Sequence, residues 1–152
     1  MVDAFSNKLC PCCSGKPFEQ CCRPFLSGKK APKTVKQLMR SRYTAYFLGG
    51  CGQYLYATWH PETRKEESPG SLSLKTVDWR GLEILLCKQQ GDEGIVEFKA
   101  HFIDQQGNAA VHHEYSHFLR IKGLWYYVQP VKPQLSSGAQ APGGGITGAA
   151  AE

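Results

Sequence analysis

No apolar run in the 152 residues approaches the roughly twenty needed to cross a bilayer, so no membrane-spanning helix is expected. The opening Met1-Val2-Asp3-Ala4-Phe5-Ser6 lacks both the basic and the long apolar segment of a secretory leader, which makes the cytoplasm the expected compartment. The chain has no nucleophile elbow, phosphate loop, dinucleotide fingerprint or HExxH motif, and this argues against the common enzyme classes. Acidic residues are scarce in the first third. Residues 1–46 hold two, Asp3 and Glu19, against nine lysines and arginines, while the remainder is slightly acidic. The formal charge of +5 is therefore concentrated near the N-terminus, and the expected partner is an acidic surface on a protein, the ribosome or a nucleic acid. A solvated basic face is the plainer reading of the same charges.

Cysteine, by contrast, is plentiful. Five of the seven lie in Cys10-Pro11-Cys12-Cys13-Ser14-Gly15-Lys16-Pro17-Phe18-Glu19-Gln20-Cys21-Cys22. Four of these follow C-x-C-x8-C-C, two thiol knuckles that a compact loop can bring around one tetrahedral ion, with Cys10, Cys12, Cys21 and Cys22 as ligands. Four thiolates fill every coordination position, so a single structural Zn2+ is expected, one with no exchangeable water and no catalytic task. Such a cluster carries a net charge of about −2, which Lys8, Lys16 and Arg23 can offset. Disulfides are the alternative, but the adjacent Cys21-Cys22 makes a poor pair and the expected compartment is reducing. Cys13 is left over as a bystander at a turn, and Cys51 and Cys87 read as small core residues.

Past a short connector with Gly28, Lys29, Lys30 and Pro32, a helix is expected from about Thr34. Val35, Leu38, Met39, Arg42, Tyr43, Tyr46 and Phe47 recur at helical spacing, and Gly49-Gly50 ends them. A shorter helix follows over Gly52–Thr58. Residues 61–73 are polar and read as a solvent loop with room for one helical turn. Four strands then alternate: one with Leu82, Ile84 and Leu86 on one face and Glu83, Leu85 and Cys87 on the other, one around Val96–Phe102, one over Ala110–Ile121 and one over Trp125–Gln129. Gly91-Asp92-Glu93-Gly94, Gln106-Gly107-Asn108 and Lys122-Gly123 are the connections. Helices followed by a meander predict an α+β fold with an antiparallel sheet curled around the long helix. Residues 134–152, rich in Gly, Ala and Ser, are expected to form a disordered tail.

Residues 10–22 resemble the SEC-C zinc motif. Leu38-Met39-Arg40-Ser41-Arg42-Tyr43, Thr58-Trp59-His60-Pro61, Glu114-Tyr115-Ser116-His117-Phe118-Leu119 and Trp125-Tyr126-Tyr127 are similar to the bacterial YchJ family. The resemblance spans about residues 9–130. It implies a SEC-C-like zinc motif over residues 1–27, followed over 28–133 by a nuclear transport factor 2-like (cystatin-like) cone. It implies a fold and a metal, and little chemistry. Two departures stand out: Cys13 occupies a position where the motif usually has Gly, which bears on the φ > 0 turn there, and no second SEC-C motif follows.

On the third strand Glu114, Ser116 and Phe118 share one face, and His113, Tyr115, His117 and Leu119 the other. If Phe118, Phe98 and Phe102 face inward, Glu114 does too, and an inward carboxylate needs a partner. Arg40 and Arg42 on the long helix and His60 after Trp59 are the candidates. An Arg40–Glu114 clamp is the structural reading. The functional one makes Glu114 and His60 an acid–base pair around a small ligand whose anionic group binds Arg40, with Trp59 as a wall and Arg42, Tyr43, Ser116 and Phe118 completing the pocket. His113 and His117 lie about 13 Å apart at strand rise, too far to share an ion, and His112 points the other way, so all three read as surface or rim residues. Two functions follow: a docking protein whose basic zinc module meets a macromolecule while the cone serves as bulk or a homodimer face, and a small-molecule binder or enzyme using the cone mouth.

Overall fold

The computed structural model describes residues 8–132; the expected tail at 134–152 lies outside the described residues. Its backbone carries five helices and four strands among these residues: α1 (Arg23–Leu26), α2 (Val35–Leu48), α3 (Gly52–Ala57), α4 (Pro61–Arg64), α5 (Pro69–Leu72), β1 (Asp78–Gln90), β2 (Glu93–Ile103), β3 (Ala109–Ile121) and β4 (Leu124–Val131). None of the helices is long and apolar enough to cross a membrane.

Helix α2 begins and ends where its sequence demands. The Thr34 side chain accepts from Gln37 N at 3.1 Å, satisfying one of the N–H groups that a helix start leaves open. At the far end Gly49 turns to φ 76°, a left-handed conformation that a side chain resists, and the helix stops. Between them Val35, Leu38, Met39 and Tyr43 are buried against the sheet.

The sheet is an antiparallel meander in the order β1-β2-β3-β4. Its helix-side face buries Leu82, Val96, Phe98, Ala100, Phe118 and Trp125, each large apolar side chain contributing about 1.5–3 kcal/mol by leaving water. The start of α2 sits directly on β2: a Cβ at Gly94 would lie 2.4 Å from Val35 Cγ1, so only glycine allows that approach. Trp125 Nε1 donates to Lys33 O at 3.3 Å and Val35 N to Gln89 Oε1 at 2.9 Å, pinning the same helix end to two hairpins.

Two expectations change. Strand β1 carries a bulge between Ile84 and Leu86, which reverses its alternation. Leu86 now pairs with Glu97 on the outer face and Cys87 with Val96 on the helix side, but at an edge where Cys87 is exposed, so it is not a core residue. Cys51 is half-buried. The polar segment 61–73 forms two single-turn helices. Ser68 and Ser71 exchange side-chain and backbone hydrogen bonds at the start of α5, and Leu72 joins Ala45 and Leu55 in a small second core.

Candidate metal centre and polar interior

The cysteine knuckle closes on itself before it meets the rest of the chain. Leu9 and Pro17 bridge as antiparallel partners, Cys10 N donates to Lys16 O at 2.8 Å and Cys13 N to Cys10 O at 3.1 Å. Cys13 adopts φ 67°, so the turn that usually takes Gly is kept despite the Cβ, at a cost of about 1–2 kcal/mol. The leftover thiol is not idle, since its Sγ accepts from Leu82 N of β1 at 3.4 Å. A turn of 3-10 helix over Phe18–Gln20 delivers Cys21 and Cys22, and α1 follows at once.

The sulfurs of Cys10, Cys12, Cys21 and Cys22 all lie within 4.8 Å of one another. A tetrahedron with metal–sulfur bonds of about 2.3 Å has edges of about 3.8 Å. Cys12–Cys21 at 3.6 Å and Cys21–Cys22 at 3.9 Å match that edge, so the residues present fit a four-sulfur ion site. Without a cation the thiols share protons unequally. Cys12 is held well below the usual thiol range because Cys10 and Cys22 donate to it, and those donor roles push Cys10 up to about 11 and Cys22 far up. Cys10, Cys12 and Cys22 are buried and Cys21 is half-buried. They belong to the main core: three of them, with Phe18, pack against Val35, Leu38 and Met39.

Helix α2 also reaches the knuckle through polar groups. Arg40 Nη1 donates to Cys12 O at 2.6 Å, and Thr44 Oγ1 donates to Cys22 Sγ at 3.3 Å while standing 3.7 Å from Cys10 Sγ. The expected Arg40–Glu114 clamp is therefore absent. Residue 40 lies on the flank of α2 that faces the cysteines, not the flank that faces β3.

Glu114 does point inward, with its side chain only 8% exposed, and it finds other partners. Oε1 meets His112 Nε2 at 2.8 Å; Oε2 accepts from Ser116 Oγ at 2.7 Å and from Tyr127 Oη at 2.9 Å. Burial, then the Glu114 charge, hold the Tyr127 phenol well above its usual range, so it stays a donor. Arg42 is buried beside this group. Its guanidinium lies 4.8 Å from the centre of the Tyr127 ring and 5.4 Å from that of Trp59, and its Nη1 donates to Leu55 O and Thr58 Oγ1. Trp59 Nε1 and Tyr43 Oη are buried without a hydrogen-bond partner among the described residues.

His60 is elsewhere, so the expected Glu114–His60 acid–base pair is not assembled. Its Nδ1 accepts from Glu62 N at 3.0 Å, capping α4, and its ring stands 6.2 Å from Tyr126, on the opposite face of β4 from Tyr127. Of the expected pocket residues, Arg42, Trp59, Glu114, Ser116 and Phe118 meet around Tyr127, whereas Arg40, His60 and Tyr43, whose ring packs against Phe47 and Trp79, do not. His112 and Tyr127 were the missing members. Period two along β3 puts His112 on the face of Glu114, a legible signal; Tyr127 depends on the β3–β4 register and its bulge at His117/Phe118. The outer face pairs its histidines with carboxylates, His113 with Glu97 at 2.7 Å, His101 with Glu83 at 2.9 Å and His117 with Glu93 at 3.6 Å.

The surface charge of the N-terminal third is less balanced. Lys8, Lys16, Lys29, Lys30, Lys33 and Lys36 are exposed and form no ion pair among the described residues, while Arg23 pairs with Glu19 at 2.7 Å.

Comparisons agree with this architecture. The family model described as "YchJ, middle NTF2-like domain" matches residues 34–130. A UPF0225 protein of Serratia proteamaculans is 41% identical over 142 residues, covering 90% of this chain and 92% of its own. A second, from Geobacter sulfurreducens, is 40% identical and covers 84% and 83%. Among solved structures, a SEC-C motif containing protein of Rhodopseudomonas palustris superposes with a TM-score of 0.75 at 33% identity, covering 82% of this chain and 98% of its own. Another SEC-C motif containing protein, from Psychrobacter arcticus, gives 0.71 at 28% identity, covering 90% and 87%. A cysteine knuckle built into one core with a helix on a four-strand meander, matched along most of its length by these relatives, places the chain in the YchJ family, with its nuclear transport factor 2-like α+β domain.

Proposed function

We propose that the protein is a zinc-dependent docking module. One Zn2+ held by Cys10, Cys12, Cys21 and Cys22 sets the knuckle, and the lysines around it bind an acidic surface on a protein, the ribosome or a nucleic acid. The observation that carries the reading is the pairing of a four-sulfur centre with six exposed lysines that have no described ion partner. When bound, the ion supplies charge and rigidity only, because sulfur fills all four positions. The chain's own residues do the rest. Buried Cys10, Cys12 and Cys22 anchor the knuckle on α2, and the connector carrying Lys29, Lys30 and Lys33 runs from it to the helix start. Attraction of this kind weakens as salt rises.

Retention of the zinc-loaded protein on immobilised heparin over a salt gradient tests this. A variant with Lys29, Lys30, Lys33 and Lys36 all changed to Ala should elute at distinctly lower salt, and Glu114→Gln should elute with the parent. Equal elution of the parent and the quadruple variant would remove the docking role.

A second reading has its own observation. Buried Arg42 and Glu114 flank Tyr127, and Trp59 Nε1 next to Arg42 has no acceptor among the described residues, so a small molecule bearing an acceptor group would complete that set. A metabolite that co-purifies with the parent and is lost in Glu114→Gln, but not in the lysine variant, would favour it.

A further inference from the structure

We infer that helix α2 belongs to the metal centre: Thr44 and Arg40 form its outer shell, and retention of the ion depends on the helix as well as on the four cysteines. The inference rests on the reading of those cysteines as ligands. Arg40 and Thr44 are four residues apart, so helical geometry stacks them on one flank about one turn from each other. That flank meets both halves of the knuckle: Arg40 Nη1 holds the carbonyl of Cys12 at 2.6 Å, and Thr44 Oγ1 holds the sulfur of Cys22 at 3.3 Å.

The plainer explanation of a buried threonine in a helix is that its hydroxyl returns to the carbonyl one turn back. Ser41, on the same helix and equally buried, donates in that way to Leu38 O at 3.0 Å. Thr44 gives its proton to a sulfur twenty-two positions away in the chain. With Cys10 Sγ at 3.7 Å, one hydroxyl serves the ligands of both knuckles, and it is fully buried, so water cannot replace it. A hydrogen bond from a neutral donor draws charge from a thiolate and fixes its direction, which is what outer-shell groups do for a metal ligand. Arg40 adds a cation beside a cluster whose net charge is about −2 when filled. Among the described residues the half-buried Cys21 has a local partner of this kind, Ser14 Oγ at 3.1 Å, so the helix secures the inner side of the centre and the loop the outer side.

The test uses the full chain loaded with zinc, and separately with cobalt. The readouts are the rate of zinc transfer to a chromophoric chelator and the sulfur-to-cobalt charge-transfer spectrum. Thr44→Val keeps the shape and removes the donor. It should shed zinc about 10–100-fold faster and shift the cobalt bands, the usual effect of losing an outer-shell partner. Thr44→Ser, which restores the hydroxyl, should return both readouts toward the parent. Parent-like release and spectrum in Thr44→Val, or no rescue by Thr44→Ser, would overturn the inference. If Thr44→Val does not fold, Arg40→Met decides, and parent-like release there overturns it. A parent that takes up no metal would instead remove the ligand reading on which this one stands.

Discussion

The knuckle and the polar interior around Glu114 both gather chemistry-bearing side chains in buried surroundings, yet they are assembled in opposite ways. All four sulfurs of the first come from thirteen consecutive residues, closed by hydrogen bonds within that stretch. The second draws Glu114, His112 and Ser116 from β3, Tyr127 from β4 and Arg42 from α2, elements that meet only when the sheet is complete. A site built locally can be read from spacing. One built across strands depends on register, and register depends on bulges that no spacing announces.

Metal removal should separate the two most sharply. Because Cys10, Cys12 and Cys22 pack in the main core, chelation or Cys12→Ser should lower stability by at least about 4 kcal/mol, seen as a fall of roughly 10 °C or more in Tm. A knuckle that was a free appendage would leave Tm unchanged. Glu114→Ala comes next. It strands three donors in a buried setting and should cost about 3 kcal/mol in urea unfolding while leaving metal content at the parent value. Loss of metal in that variant would break the separation drawn here.

Acidity sharpens the comparison further. In the metal-free knuckle Cys10 is pushed up to about 11 and Cys22 higher still, so both are protonated near neutrality and must release protons when an ion binds. Metal affinity therefore rises with pH up to that range, by about tenfold per pH unit for each proton released, and chelator competition at pH 6 and pH 8 measures it. The smallest effect belongs to His60→Ala, which removes an exposed cap and should cost about 0.5–1 kcal/mol with no change in zinc release. A larger loss would restore His60 to the interior site.

Much of the fold was legible for physical reasons. Helix α2 was delimited by Thr34 and Gly49 because capping and left-handed turns are local requirements. The four strands followed from alternation. The inward turn of Glu114 followed from period two given an inward-facing Phe118, and the same rule applied to His112 would have named its first partner. Other features were not legible. The bulge at Leu85 reversed Leu86 and Cys87, a single Leu72 in a polar stretch anchored α5, and Arg40 turned from the sheet to the knuckle because the cysteines occupy that flank of α2.

By itself the sequence determined the four-cysteine cluster, the long helix, the strand count and the basic first third, since each rests on residues close in the chain or on a repeating period. Only the tertiary structure decided which side chain meets which: Tyr127, Ser116 and His112 around Glu114, aromatic rings around Arg42, and Thr44 on the sulfur of Cys22. Hydrogen bonds between distant residues depend on positions to within a few tenths of an ångström, and those positions exist only once the core has packed.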